Sequence, residues 1–217
     1  MIETEKTKDI IADVGTLNLG SRTMRGGAII FGAQIIQQFI RLGITAFLAR
    51  LLTPGDYGLL GMVMAFTIFL NIFSDLGLSF ATIQKAELNY RQISTLFWVN
   101  AAFGMFLTAV AAASAPAVAW FFKEPQLLKV TLWISLGFFI GSLGAQHRAL
   151  LTRNMKFGKL AISEFITVIS GGAVGILMAF KGYGVYSLVG QSLVGQCARN
   201  ICNWVQANWI PGLPEPS

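Results

Sequence analysis

Six mostly apolar runs, each long enough for a spanning helix, divide the chain at 27–52, 57–83, 93–120, 127–147, 160–180 and 184–206. A helix crossing a hydrocarbon layer about 30 Å thick needs about 20 such residues. The connections "TPGD", "KAELNYRQ", "KEPQ", "RNMKFGK" and "KGYG" are short and rich in turn residues. No strand-type alternation of period two occurs. The pattern predicts an all-α polytopic membrane protein, a six-transmembrane-helix bundle over 25–208. Residues 1–24 read as a polar N-terminal segment and 209–217 as a tail.

Polar residues inside the runs are not scattered. Positions i, i+3, i+4 and i+7 share a helix face. Gln34, Gln37, Gln38, Arg41 and Thr45 form one stripe, and Asn71, Asp75, Ser79 and Thr82 a second. Glu164, Thr167, Gly171 and Gly175 form a third, and Gln196, Arg199, Asn200 and Asn203 a fourth. Lipid cannot satisfy such stripes, so they should face one another or water inside the bundle. Gly171 with Gly175, and Gly137 with Gly141 in the fourth run, suit close helix packing.

Arg41 raises the sharpest question. A charge at the bilayer centre costs roughly 2.5–3.5 kcal/mol on the mildest scale. Two arrangements would hold it: an ion pair with Asp75 or Glu164 that locks the bundle, or a hydrated cationic cavity. Arg199 lies nearer the end of its run, where a long side chain can snorkel.

Composition agrees with a lipid solvent. Hydrophobic residues make up 54% and charged ones 12%, against about 25% charged in a soluble domain. The net charge of +6 does not point to nucleic acid, because the Lys and Arg residues cluster in the connections. With the N-terminus inside, cytoplasmic segments carry ten of them: Lys6, Lys8, Arg22, Arg25, Lys85, Arg91, Arg148, Arg153, Lys156 and Lys159. The other side carries four: Arg50, Lys123, Lys129 and Lys181. This bias predicts both termini in the cytoplasm. The first apolar run follows Arg22 and Arg25, is too long for a signal-peptide core and precedes no A-x-A site, so it is expected to be an uncleaved spanning helix.

Signs of catalysis are sparse. Cys197 and Cys202 sit in one apolar run, where they read as small packing side chains and not as a disulfide or metal site. His147, the single histidine, ends the fourth run beside Arg148, a place for a headgroup-level contact. No phosphate-cradling glycine loop or metal-ligand spacing is found, and no cofactor is expected.

Four stretches carry a resemblance: "ARLLTPGDYGLLGMV" (49–63), "FSDLGLSFATIQK" (73–85), "STLFWVN" (94–100) and "QHRALLTRNMKFGKLAISE" (146–164). Their distinctive positions are Leu52-Thr53-Pro54 with Asp56-Tyr57-Gly58, then Ser74-Asp75-Leu76-Gly77, then Arg148 and Arg153 with Phe157. Together they resemble the polysaccharide-transporter family, the oligosaccharide flippases of the MATE-like exporter superfamily. The resemblance implies a lobe of six helices in a two-lobed fold with a central cavity that opens alternately to each side. It implies movement of undecaprenyl-pyrophosphate-linked sugar units across a bacterial inner membrane for exopolysaccharide, capsule or O-antigen. The chain would then be the N-terminal lobe, with 209–217 a cytoplasmic tail or the start of the interlobe linker, and would be completed by a second lobe or a second chain.

On this basis Arg41 and Arg199 are expected to meet pyrophosphate, since guanidinium suits phosphate geometry. Gln34, Gln37, Gln38, Gln196 and Asn200 would meet sugar hydroxyls, and Asp75 or Glu164 would serve as ion-pair partner or coupling carboxylate. The expected partners are the lipid-linked oligosaccharide and membrane lipids. Three rivals stand beside this: a multidrug-type exporter of the same superfamily, a membrane enzyme of polysaccharide synthesis, and an inactive fragment.

Overall fold

A computed structural model describes residues 32, 34–74 and 90–212. Among the described residues there are six helices and no strand: α1 over 34–51, α2 Pro54–Ser74, α3 Tyr90–Phe122, α4 Gln126–Arg153, α5 Phe157–Phe180 and α6 Val185–Ala207. Most of α3, with α4 and α5, is long and apolar enough to cross a membrane, and α2 holds the shorter apolar stretch Pro54–Leu70. The polar stripe of α6 lowers its hydropathy, and that helix is held by its neighbours instead. The chain is an all-α, multi-pass membrane protein.

Several helices outrun the apolar runs. The second begins at Pro54, not 57, because "TPGD" is a helix start and not a loop. Thr53 N–H and Oγ1 donate to Asp56 Oδ2 at 2.9 and 2.7 Å, and Asp56 N–H returns a bond to Thr53 Oγ1 at 3.3 Å. This reciprocal cap precedes a proline at the first helical position, where no N–H is needed. At the other end of the bundle α4 continues through Arg153, six residues beyond its apolar run, because Ala149 and Leu151 are still buried there. The backbone then turns at Met155, with φ 52°. Pro116 sits inside α3, as membrane helices tolerate.

Two helical hairpins carry most of the packing. In α5–α6, Gly171 lets the backbones touch: a Cβ there would stand 2.5 Å from the Gln191 carbonyl oxygen and 3.4 Å from Gly195 Cα. In α3–α4, Gly104 leaves the space that Ser142 fills. α4 also lies along α6, joining the hairpins. α2 closes one side, through Val63 against Val118, Leu127, Val130, Val185 and Val189, and through Leu70 against Leu107, Ala111 and Phe138. α1 leans on α5 and the start of α6, where Leu48 and Leu52 meet Ala179 and Leu188, and Ile44 fills the hollow at Gly172.

After α6 the chain folds back beneath the bundle. Trp98 Nε1 donates to the Gly212 carbonyl at 2.9 Å, and Gly212 N–H donates to Ser94 Oγ at 3.0 Å. Around this strap His147 stacks on Trp204 with centroids 4.3 Å apart, and Phe97 meets both rings edge-on. His147 Nε2 donates to the Trp209 carbonyl at 3.2 Å, and the side chain is fully buried. The expected headgroup contact is therefore replaced by an internal one. The returning strap covers the ring, which a reading of α4 alone could not foresee.

Candidate functional site

A cavity of about 490 Å³ opens between α2, α3, α4 and α6. Its α4 wall is a stripe of Gly137, Gly141, Ala145 and Arg148, spaced by four, four and three residues so that all lie on one face. The two glycines make room for Gln196 of α6: a Cβ at Gly137 would stand 3.2 Å from its Nε2, and one at Gly141 3.7 Å from its Oε1. Gln196 Nε2 donates to Ser192 Oγ at 3.3 Å. Thr67, Asn100, Ser142 and Ser192 add further polar groups to the wall.

The charged groups of the cavity gather toward one end. Arg148 of α4 and Arg199 of α6 both line it. Their guanidinium groups meet the same carboxylate oxygen, Glu164 Oε1 of α5, at 3.8 and 3.7 Å. These are ion-pair distances and too long for hydrogen bonds. Glu164 does not line the cavity; it reaches the two arginines from α5. Among the described residues, then, Glu164 pairs with Arg148 and Arg199 and not with Arg41.

The structure brings together part of the candidate set. Arg199 and Gln196 share the cavity. Asn200, on the neighbouring face, is buried in the hollow at Gly144 and donates to the Ile140 carbonyl, so it holds α6 against α4. Gln37 donates its Nε2 to the Ala161 carbonyl of α5 at 2.9 Å. Gln34, Gln38, Arg41 and Thr45 form an exposed stripe on α1, away from the cavity. Asp75 lies outside the described residues. The sequence marks Arg148 as a topology signal and a position of the family resemblance, whereas its place in the cavity comes from the structure. The small-residue stripe Gly137, Gly141, Ala145 leads straight to it and was a readable sign. Among the described residues no group of three or more His, Cys, Asp and Glu side chains is placed to hold a metal ion.

Over 169 residues the chain is 29% identical to the teichuronic acid biosynthesis protein TuaB of Bacillus subtilis (strain 168), covering 76% of this chain and 35% of that protein. Over 182 residues it is 25% identical to the lipopolysaccharide biosynthesis protein WzxC of Escherichia coli (strain K12), covering 80% and 36%. The succinoglycan biosynthesis transport protein ExoT of Rhizobium meliloti (strain 1021) is 26% identical over 152 residues, covering 70% and 31%. The chain thus spans about a third of the length of these relatives. No solved structure gives a significant match. Residues 47–215, well over half of the chain, match the family model described as "Polysaccharide biosynthesis protein", and the chain belongs to that family.

Proposed function

We propose that this chain forms one lobe of a flippase that moves undecaprenyl-pyrophosphate-linked oligosaccharide units across the bacterial inner membrane for polysaccharide synthesis. The observation that carries this reading is the cavity, polar along its wall and cationic at one end. A diphosphate leaving water needs a positive, hydrated partner, and a sugar needs amides and hydroxyls. Arg148, Arg199, Gln196, Asn100, Ser142 and Ser192 supply both kinds of group. No bond is broken; the work is conformational. A multidrug-type exporter of cations would meet two guanidinium groups and one carboxylate here, the wrong balance of sign. The relative ExoT, a succinoglycan biosynthesis transport protein, agrees with this reading.

The α1 stripe gives the lobe its second polar surface. Gln37, Ile40, Ile44 and Leu48 form the packed face of α1, while Ile36, Phe39 and Leu42 are exposed. The stripe of Gln34, Gln38, Arg41 and Thr45 runs between those two faces. It suits a hydrated cleft toward a second lobe or second chain, because lipid would leave it unsatisfied. The test is polymer export in a flippase-deficient strain, with the chain expressed alongside its genomic neighbours. Arg41→Lys should retain part of the export, since charge survives and fork geometry does not. Arg41→Gln should lose export while inserting and melting like the parent. Full export by Arg41→Gln would remove Arg41 from the substrate path, and loss of folding in both variants would make it a structural ion-pair residue.

A further inference from the structure

We propose that Arg148 and Arg199 form a two-armed site for a lipid-linked diphosphate at one mouth of the cavity, and that Glu164 is a resident counter-ion whose place the diphosphate takes. This rests on the function proposed above and adds the exchange of partners at that mouth.

Three observations carry it. The first is charge. One carboxylate faces two guanidinium groups, so the cluster keeps a net positive charge. The second is geometry. Both arginines approach a single oxygen, Glu164 Oε1, at 3.8 and 3.7 Å, beyond hydrogen-bond reach. Each guanidinium has five N–H donors arranged as a fork, and this long, shared contact saturates neither. A diphosphate offers several oxygens and more than one negative charge, and can engage both forks at bonding distance.

The third observation is position. The two arginines line the cavity and Glu164 does not, so the carboxylate holds them from α5 and leaves the cavity side for a ligand. The side chains of Glu164 and Arg199 are 29% and 25% exposed, and that of Arg148 is 57% exposed. The cluster is therefore reachable and is not sealed as a buried structural pair. Gln196 lies one turn from Arg199 on the same α6 face, with its amide in the cavity. A headgroup held by the arginines would place its first sugar beside that amide. The carboxylate would then act as a placeholder. It keeps two cations compatible with the membrane when the cavity is empty, and it yields when a stronger anion arrives.

The test is calorimetric titration of the full 217-residue chain in detergent with three probes: farnesyl diphosphate, inorganic pyrophosphate and short-chain phosphatidylglycerol. Farnesyl diphosphate should bind best, with pyrophosphate weaker but ranked the same way across the variants. Glu164→Gln should tighten farnesyl diphosphate by about tenfold, by removing its competitor. The double variant Arg148→Gln/Arg199→Gln should bind none of the probes detectably. Unchanged or weaker binding by Glu164→Gln would overturn the placeholder role, and undiminished binding by the double variant would overturn the site. If Glu164→Gln does not fold, Glu164→Asp decides: a smaller gain of the same sign supports exchange, and no gain overturns it. Phosphatidylglycerol binding as tightly as farnesyl diphosphate would overturn the diphosphate assignment. Success in all arms with no polymer export in the cell would leave the site standing and remove the transport reading.

Discussion

Gly171 has no room for a side chain, because the α6 backbone occupies the space where a Cβ would stand. Gly61 of α2 has nothing within 4 Å of the same point. Gly171→Ala should therefore lower the detergent melting temperature, with an overpacking cost of about 1–3 kcal/mol, whereas Gly61→Ala should not. Equal melting of the two variants would show that the hairpin can open without cost. The close-packing role of this glycine was legible from its spacing with Gly175. The partner of Glu164 was not. Arg41 and Arg199 were both available as cations in helical runs, and only the packing of α5 beside α4 and α6 selects Arg199, adding Arg148. Periodicity tells which residues share one helix face. It does not tell which two faces meet.

At the scale of the element, α2 depends on its first turn. The Thr53–Asp56 cap satisfies backbone donors that would otherwise be left at the helix start. The Asp56 carboxylate also lies against Gly184 just before α6, where a Cβ would come within 2.8 Å of Oδ1 and φ is +54°. One side chain thus caps α2 and fits the turn between α5 and α6. Thr53→Ala and Asp56→Ala should each cost about 0.5–2 kcal/mol. The double variant should cost less than the sum, because either change breaks the same reciprocal pair. Strict additivity in thermal melts would mean the two residues act separately. The six helices among the described residues were readable from the apolar runs. Their ends were less so, because caps and buried residues such as Leu151 carry a helix past its hydropathy limit.

Across the whole molecule, the distribution of charge predicts a direction in the membrane. The end of α4, the connection after it and the start of α5 gather Arg153, Lys156 and Lys159, while the turn after α5 holds Lys181 beside Gly182. With the cationic end in the cytoplasm, a cysteine placed at Gly182 should react with an impermeant thiol reagent added outside. The background would lack Cys197 and Cys202. A cysteine at Lys85 should be silent from that side, and the reverse pattern would invert the lobe. The fold class was legible because lipid imposes it on any chain this apolar. The cavity was not, since it arises from four helices whose neighbours no single run reveals.

The strap beneath the bundle also sorts the protein's five tryptophans by surroundings. Trp204 and Trp209 are partly covered beside His147, and Trp98, 42% exposed, donates to the strap at Gly212, whereas Trp120 of α3 and Trp133 of α4 are 81% and 54% exposed away from it. Brominated lipid should therefore quench the emission of Trp120 and Trp133 strongly and spare the pair at the strap. The protein thus carries two native fluorophore populations, one lipid-facing and one fixed to the returning chain. Any motion that lifts the strap would shift the second spectrum and leave the first unchanged.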